Sequence, residues 1–264
     1  MDESRRNFLK IAGCGALGVG WSIPVFRAIG KTFETEAAAE ALTVKKNWAM
    51  VVDIARCQQE AVARACIDAC HLAHNVPDIG DPKEEIKWIW REPVENAFPT
   101  QLHEYSPEAL RQSRVLVFCN HCQNPPCTKV CPTQATWKRK EDGLVMMDPH
   151  RCIGCRYCMA ACPYGSRSFN FKDPRPYLRA GTSRDYPPRT KGVVEKCNFC
   201  AERLARGLQP ACVEACSQVD GGAGALLFGD LGDPSSEIVN ALRTKNTIRR
   251  KPFLGTEPQV YYVV

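Results

Sequence analysis

Cys152-Ile-Gly-Cys155-Arg-Tyr-Cys158-Met-Ala-Ala-Cys162-Pro163 is the stretch whose reading decides the fold. Its spacing, C-x2-C-x2-C-x3-C-P, crowds three thiols into one tight loop and adds a fourth just before a proline. A cube of iron and sulfide needs soft, deprotonated sulfur at its corners, and such a loop supplies three of them. The fourth cysteine of the run ligates the other cluster of a two-cluster unit. Zinc is the main rival for any C-x2-C pair, but tetrahedral zinc sites usually combine two well-separated pairs. This stretch therefore predicts an iron–sulfur cluster and a partner stretch elsewhere in the chain.

Working outward, further cysteine groups flank this stretch. Cys119, Cys122, Cys127 and Cys131-Pro132 give C-x2-C-x4-C-x3-C-P, and downstream Cys197, Cys200, Cys212 and Cys216 give C-x2-C-x11-C-x3-C. The last group is ambiguous between zinc and iron by itself and takes its reading from its order after the other two. A group nearer the N-terminus, Cys57, Cys66 and Cys70, is one ligand short. Four groups imply two pairs, hence a line of clusters for carrying electrons, with three [4Fe–4S] clusters expected and a fourth, [4Fe–4S] or [3Fe–4S], at the incomplete group.

The 264 residues allow one large domain or two small ones. A formal charge of +6 raises the question of nucleic acid. That count treats every cysteine as neutral, whereas each oxidised four-thiolate cubane carries about −2. Lys and Arg are also spread along the chain, so no nucleic-acid partner is expected.

Residues 4–10, Ser-Arg-Arg-Asn-Phe-Leu-Lys, read as a twin-arginine export signal, followed by a modestly apolar stretch from Ile11 to Ile29. Ala37-Ala38-Ala39 offers a cleavage site, giving a signal at 1–39 and a mature domain at 40–264. Pro24, Arg27 and the glycines make this stretch a poor membrane span. Cys14 is read as incidental. An exported, cysteine-rich chain would ordinarily be a disulfide scaffold. Export in the folded state reconciles the signal with thiolates already occupied in the cytoplasm, and predicts a periplasmic location.

Trp48–Asp53, Arg114–Phe118 and the tail Val260–Val263 read as strands, as does Ser168–Phe171. Thr136–Lys138 and Leu144–Met147 flank a turn at Glu141-Asp142-Gly143, a hairpin signal. Ala61–Leu72, Glu202–Gln209 and Ser235–Thr244 have helical composition, and Pro174, Pro176, Pro187 and Pro188 mark a long surface excursion. Strand, ligand loop and short helix recur. The expected class is α+β, with two ferredoxin-like two-cluster halves.

From about Trp48 onward the chain resembles the four-cluster iron–sulfur electron-transfer subunits of the DMSO reductase and polysulfide reductase type, and the tail Leu254-Gly-Thr-Glu-Pro-Gln-Val-Tyr-Tyr262 is similar to that family's ending. The resemblance implies two interleaved units, one from the first and fourth cysteine groups and one from the second and third, and four ligand sets. One takes Cys119, Cys122 and Cys127 with Cys162, and a second takes Cys152, Cys155 and Cys158 with Cys131. A third takes Cys197, Cys200 and Cys212 with Cys70, and the last uses Cys57, Cys66 and Cys216. This last site departs from the family, because Glu60 stands where its second cysteine is expected. Glu60 or His71 would complete a cubane, three thiolates alone would hold a three-iron cluster, and loss of the cluster is the remaining alternative. The first motif, with its long gap and His71-x-x-His74-Asn75, is similar to the exported iron–sulfur subunits of Dsr membrane complexes of dissimilatory sulfur metabolism. The implied partners are an integral membrane quinone-reactive subunit and a cytochrome c or catalytic redox subunit.

No Ser-His-Asp set, phosphate loop or Rossmann fingerprint stands out, so no catalytic site is expected on this chain itself. His121, between two ligands, is expected to be exposed, and Trp137 and Phe199 to pack in the core. The alternatives are the same wire serving an exported molybdopterin oxidoreductase or hydrogenase, and an exported zinc or disulfide structural module.

Overall fold

The computed structural model describes residues 46–179 and 183–264. The twin-arginine stretch, Cys14 and the cleavage motif lie outside the described residues. Strand β1 (Trp48–Asp53) sits inside a four-stranded sheet of order β8-β1-β10-β9, with β8 at Leu226–Asp230, β9 at Thr247–Ile248 and β10 at Val260–Val263. It runs parallel to β10 and antiparallel to β8. Alternation along β1 divides its side chains between two cores. Ala49 and Val51 face Ile238 of the helix Glu237–Thr244, whereas Met50 and Val52 enter the main core with Val260 and Tyr262. A strand buried on both faces explains its nearly continuous apolar run.

Helix α1 (Glu60–Ala73) buries Val62, Ala63, Cys66 and Cys70, a single stripe at helical spacing. It packs against α2 (Ala211–Ser217), which buries Ala211, Cys212 and Cys216. Two cysteines one turn apart on each helix therefore face each other across the core. Elsewhere the strands form two-stranded ribbons. β2 (Ile89–Pro93) pairs with β3 (Arg114–Phe118), β4 (Thr136–Lys138) with β5 (Val145–Met147), and β6 (Ser168–Phe169) with β7 (Val194–Glu195), all antiparallel. The β4–β5 hairpin turns through Gly143 at φ +73°, a left-handed position suited to glycine.

The structure corrects several expectations. The helix expected over Glu202–Gln209 is one turn, Ala201–Leu204, because Gly207 adopts φ +74° and ends it. The strand from Ser168 stops at Phe169. Trp137 is 37% exposed, on the outer side of its short hairpin, whereas Phe199 is fully buried. The proline-marked excursion is not wholly superficial, since Arg189 at its end is buried and Tyr186 packs edge-on against His74 and Trp88.

Candidate metal centres

All fifteen cysteines of the described residues are free thiols. Cys119, Cys122, Cys127 and Cys162 line one enclosed cavity walled by Pro125, Pro126 and Val145. Burial pushes the Cys122 thiol up to about 12, and the neighbouring thiols of Cys119, Cys162 and Cys127 add to the shift. Cys158 has the same profile with different neighbours. Burial raises its pKa against the pull of Arg167, and Cys152 and Cys131 raise it further. Cys131, whose sulfur faces the backbone amides of Thr133, Ala135 and Thr136, has its pKa lowered despite burial. Cys155, in the same loop as Cys152 and Cys158, is exposed.

The helix pair builds the other two groups. Cys70 on α1 is pushed well up by burial and by the thiols of Cys197, Cys212 and Cys200. One turn away, the closeness of Cys216 raises the pKa of Cys66 and lowers that of Cys216, and Cys57 lies close to both. Pairing Cys66 with Cys216 and Cys70 with Cys212 is the order antiparallel helices require. Gly222 makes the fit at this end possible, since a Cβ there would sit 1.9 Å from the Cys216 carbonyl oxygen. Glu60 and His71 are not brought to these three thiols. The Glu60 carboxylate is 68% exposed and paired with Arg91, and His71 lines a separate cleft with Ile67, Asp78, Ile86 and Arg179.

The loops that carry these thiols are held in left-handed turns at His121, Arg156, Phe199 and Cys200. Such turns aim backbone N–H groups at sulfur. Phe199 donates its amide to Cys197 Sγ at 3.5 Å, and Ala211 to Cys200 Sγ at 3.4 Å. His121 is not exposed as its sequence neighbours suggest but 1% accessible, stacked on Phe199 at 3.9 Å. Val145 donates its amide to His121 Nδ1, so the imidazole proton lies on Nε2 and is donated to the Cys197 carbonyl at 3.1 Å. Burial and the Lys196 charge hold this imidazole well below its usual range, and hence neutral. It thereby bolts the Cys119–Cys122 loop to the Cys197–Cys200 loop.

Sequence reasoning missed the charged groups between these thiols. Lys196 is buried and donates to the Cys197 carbonyl at 2.7 Å and to the Val145 carbonyl. Arg167 is buried beside Cys127. His74 places Nδ1 2.9 Å from the Cys70 carbonyl oxygen and Nε2 2.7 Å from Glu202 Oε1, with Cys200 within 4.8 Å of both side chains. The one signal available in the sequence is position: Lys196 immediately precedes a ligand motif, and Arg167 follows one by five residues.

Together the groups form a line. Cys158 and Cys127 meet at Arg167, Cys197 is electrostatically beside Cys119, and Cys212 is beside Cys216 and Cys66. Thiols packed this closely out of water favour the neutral form unless a cation takes their charge. Soft sulfur in sets of three and four therefore suits iron–sulfur clusters.

These features define an iron–sulfur electron-transfer protein. Residues 115–174 match the family model described as a 4Fe-4S dicluster domain. Over 98% of its length the chain is 40% identical to the Hdr-like menaquinol oxidoreductase iron-sulfur subunit 1 of Archaeoglobus fulgidus, covering 97% of that protein. It is 37% identical over 82% of its length to a putative dimethyl sulfoxide reductase iron-sulfur subunit of Halobacterium salinarum, covering 79% of it. It is also 34% identical over 83% of its length to the menaquinone reductase iron-sulfur cluster-binding subunit of Nitratidesulfovibrio vulgaris, covering 89% of it. The chain belongs to this family of [4Fe–4S] electron-transfer subunits of oxidoreductases.

Proposed function

We propose that this chain is the exported iron–sulfur subunit of a membrane-bound, menaquinol-linked respiratory complex of the Dsr type, acting in the periplasm. The observation that carries the reading is the unbroken line of four thiol groups. The ligand sets are Cys152, Cys155, Cys158 and Cys131, then Cys119, Cys122, Cys127 and Cys162, then Cys197, Cys200, Cys212 and Cys70. Cys57, Cys66 and Cys216 form the last set and hold a three-iron cluster, since Glu60 and His71 face elsewhere. The first two sets make one ferredoxin-like half and the last two make the other.

When bound, the clusters supply reversible one-electron exchange, at potentials within about −700 to +450 mV. The rest is the work of the chain. Apolar walls exclude water, amides such as Phe199 N–H face the sulfurs, and His121 fixes the separation of two loops. The names of the Archaeoglobus and Nitratidesulfovibrio relatives support a quinone-reactive membrane partner. A multihaem cytochrome c subunit is the further partner. Likeness to a dimethyl sulfoxide reductase subunit favours a second reading, in which the same wire feeds a catalytic reductase subunit.

Iron, acid-labile sulfide and zinc are measured on anaerobically purified full-length protein, beside EPR spectra before and after reduction. About fifteen irons with a three-iron signal are expected. About twelve refute a cluster at the Cys57 site, and zinc without iron or sulfide refutes the whole reading. Mass spectrometry of the detergent-solubilised native complex separates the two partner readings: a quinone-reactive subunit with cytochrome c supports the first, and a molybdopterin subunit overturns it.

A further inference from the structure

Arg167 stands where two of the thiol groups meet. Its Nη2 donates to Cys127 Sγ at 3.0 Å and to Thr136 Oγ1 at 2.8 Å, and its Nη1 reaches Met147 Sδ at 3.8 Å. Cys158 packs in the same small buried cluster as Cys127, near enough for the guanidinium charge to act on its sulfur. The residue is 4% accessible, and among the described residues it makes no ion pair with a carboxylate. A buried guanidinium is costly unless an anion compensates it. Here the available anions are the two thiolate groups, one containing Cys127 and the other Cys158. Thr136 Oγ1 donates its own proton to the Met146 carbonyl at 2.7 Å, so its lone pairs are turned toward Arg167 and fix the guanidinium against the hairpin.

We propose that Arg167 is a positioning residue for electron transfer: a fixed positive charge shared by the Cys127 and Cys158 sites that raises both reduction potentials and keeps them close together. This rests on the reading of both thiol groups as cluster ligands. One-electron reduction adds a negative charge to a site, and a cation at hydrogen-bond distance in a low-dielectric interior stabilises the reduced form. Because one guanidinium touches Cys127 and lies near Cys158, neither site is tuned alone. In each transfer one site gives up an electron and its neighbour gains it; no bond forms or breaks, and Arg167 keeps its protons throughout. The Lys196 charge also bears on Cys127, but Lys196 donates to the carbonyls of Val145 and Cys197 and not to a sulfur.

The test uses full-length protein, purified anaerobically, with Arg167→Gln and Arg167→Lys. Iron and sulfide are measured first, and EPR-monitored redox titrations follow, with signals assigned through Cys131→Ser and Cys162→Ser. Arg167→Gln is expected to disfavour reduction at both sites by tenfold or more, about 59 mV for a one-electron couple. The Cys197 and Cys57 sites stay within threefold of wild type, and Arg167→Lys recovers most of the change. Intact iron with unshifted potentials overturns the proposal, as do equal shifts at all four sites or a lysine variant no better than glutamine. If Arg167→Gln loses its iron, pulsed EPR on wild-type protein carrying guanidino-15N arginine decides instead. Nitrogen coupling at both reduced sites is expected, and its absence overturns the proposal. Wild-type protein without iron would refute the cluster reading itself.

Discussion

Glu195 and Arg189 form an ion pair whose side chains are 1% and 4% exposed, with 2.7 Å between Oε2 and Nη2. Glu195 also accepts from Trp88 Nε1 at 2.9 Å and from Asn170 Nδ2 at 2.5 Å. Arg189 donates to the carbonyls of His74 and Asn75, just beyond the Cys70 end of α1. Removing one member of such a pair strands a buried charge, at a cost of about 3–5 kcal/mol. For Glu195→Gln we expect the lower end, about 3 kcal/mol, because Arg189 keeps both carbonyls and its stacking over Tyr186 and Trp88. Arg189→Met loses those carbonyl bonds as well and falls at the upper end. Proteins with tightly bound cofactors seldom unfold reversibly, so the rate of unfolding is the sounder observable. Expressed there, 3 kcal/mol is about 150-fold. Unfolding is followed anaerobically in guanidinium as loss of visible absorbance. With a coupling of about 2 kcal/mol, the double variant unfolds about thirtyfold more slowly than the product of the two single effects. Strict multiplication of the single effects would refute the pair as a coupled, desolvated unit.

Cys131→Ser is expected to perturb the EPR signal of the Cys152–Cys158 loop and spare that of Cys119 and Cys122, although Cys131 is closer in sequence to the latter. Gly154→Ala places a Cβ 2.5 Å from the Gly192 carbonyl oxygen at a residue with φ +71°. Both the clash and the left-handed backbone oppose it, at more than about 1 kcal/mol, and iron analysis should show one cluster lost. For Glu92, burial raises the carboxyl pKa, but bonds from Trp90 and Asn96 outweigh it and hold the group below its ordinary 4.5. A depressed carboxylate contributes stability above the unfolded value and loses it as pH falls through the folded one. The ratio of Glu92→Gln to wild-type unfolding rates should therefore be constant above about pH 5 and approach one as pH drops below 4.5; a ratio that does not change with pH would refute it.

What the sequence reveals here is what local spacing controls. The cysteine loops follow from cysteines with two to four residues between them, and the hairpin follows from Asp142-Gly143, where a left-handed residue is needed. Strand β1 is legible because it is apolar on both faces. β2 is not, since Arg91, Glu92 and Pro93 interrupt it and only pairing with β3 holds it extended. Long-range contacts explain the other misses. His121 looks like a solvated loop residue until Phe199 and the Cys197 carbonyl, more than seventy residues on, close over it. Arg167 and Lys196 belong to residue types that are ordinarily exposed. Their burial makes sense only once thiols from distant segments surround them.

The facing helices have a consequence for biogenesis. Cys66, Cys70, Cys212 and Cys216 occupy core positions where another protein would carry leucine or valine. On the ligand sets proposed above, clusters held by these side chains would stand where another protein packs hydrocarbon between its helices. On that reading, iron delivery and completion of the core are one event. Any cellular step that inspects the finished fold of this chain therefore also inspects its metal content.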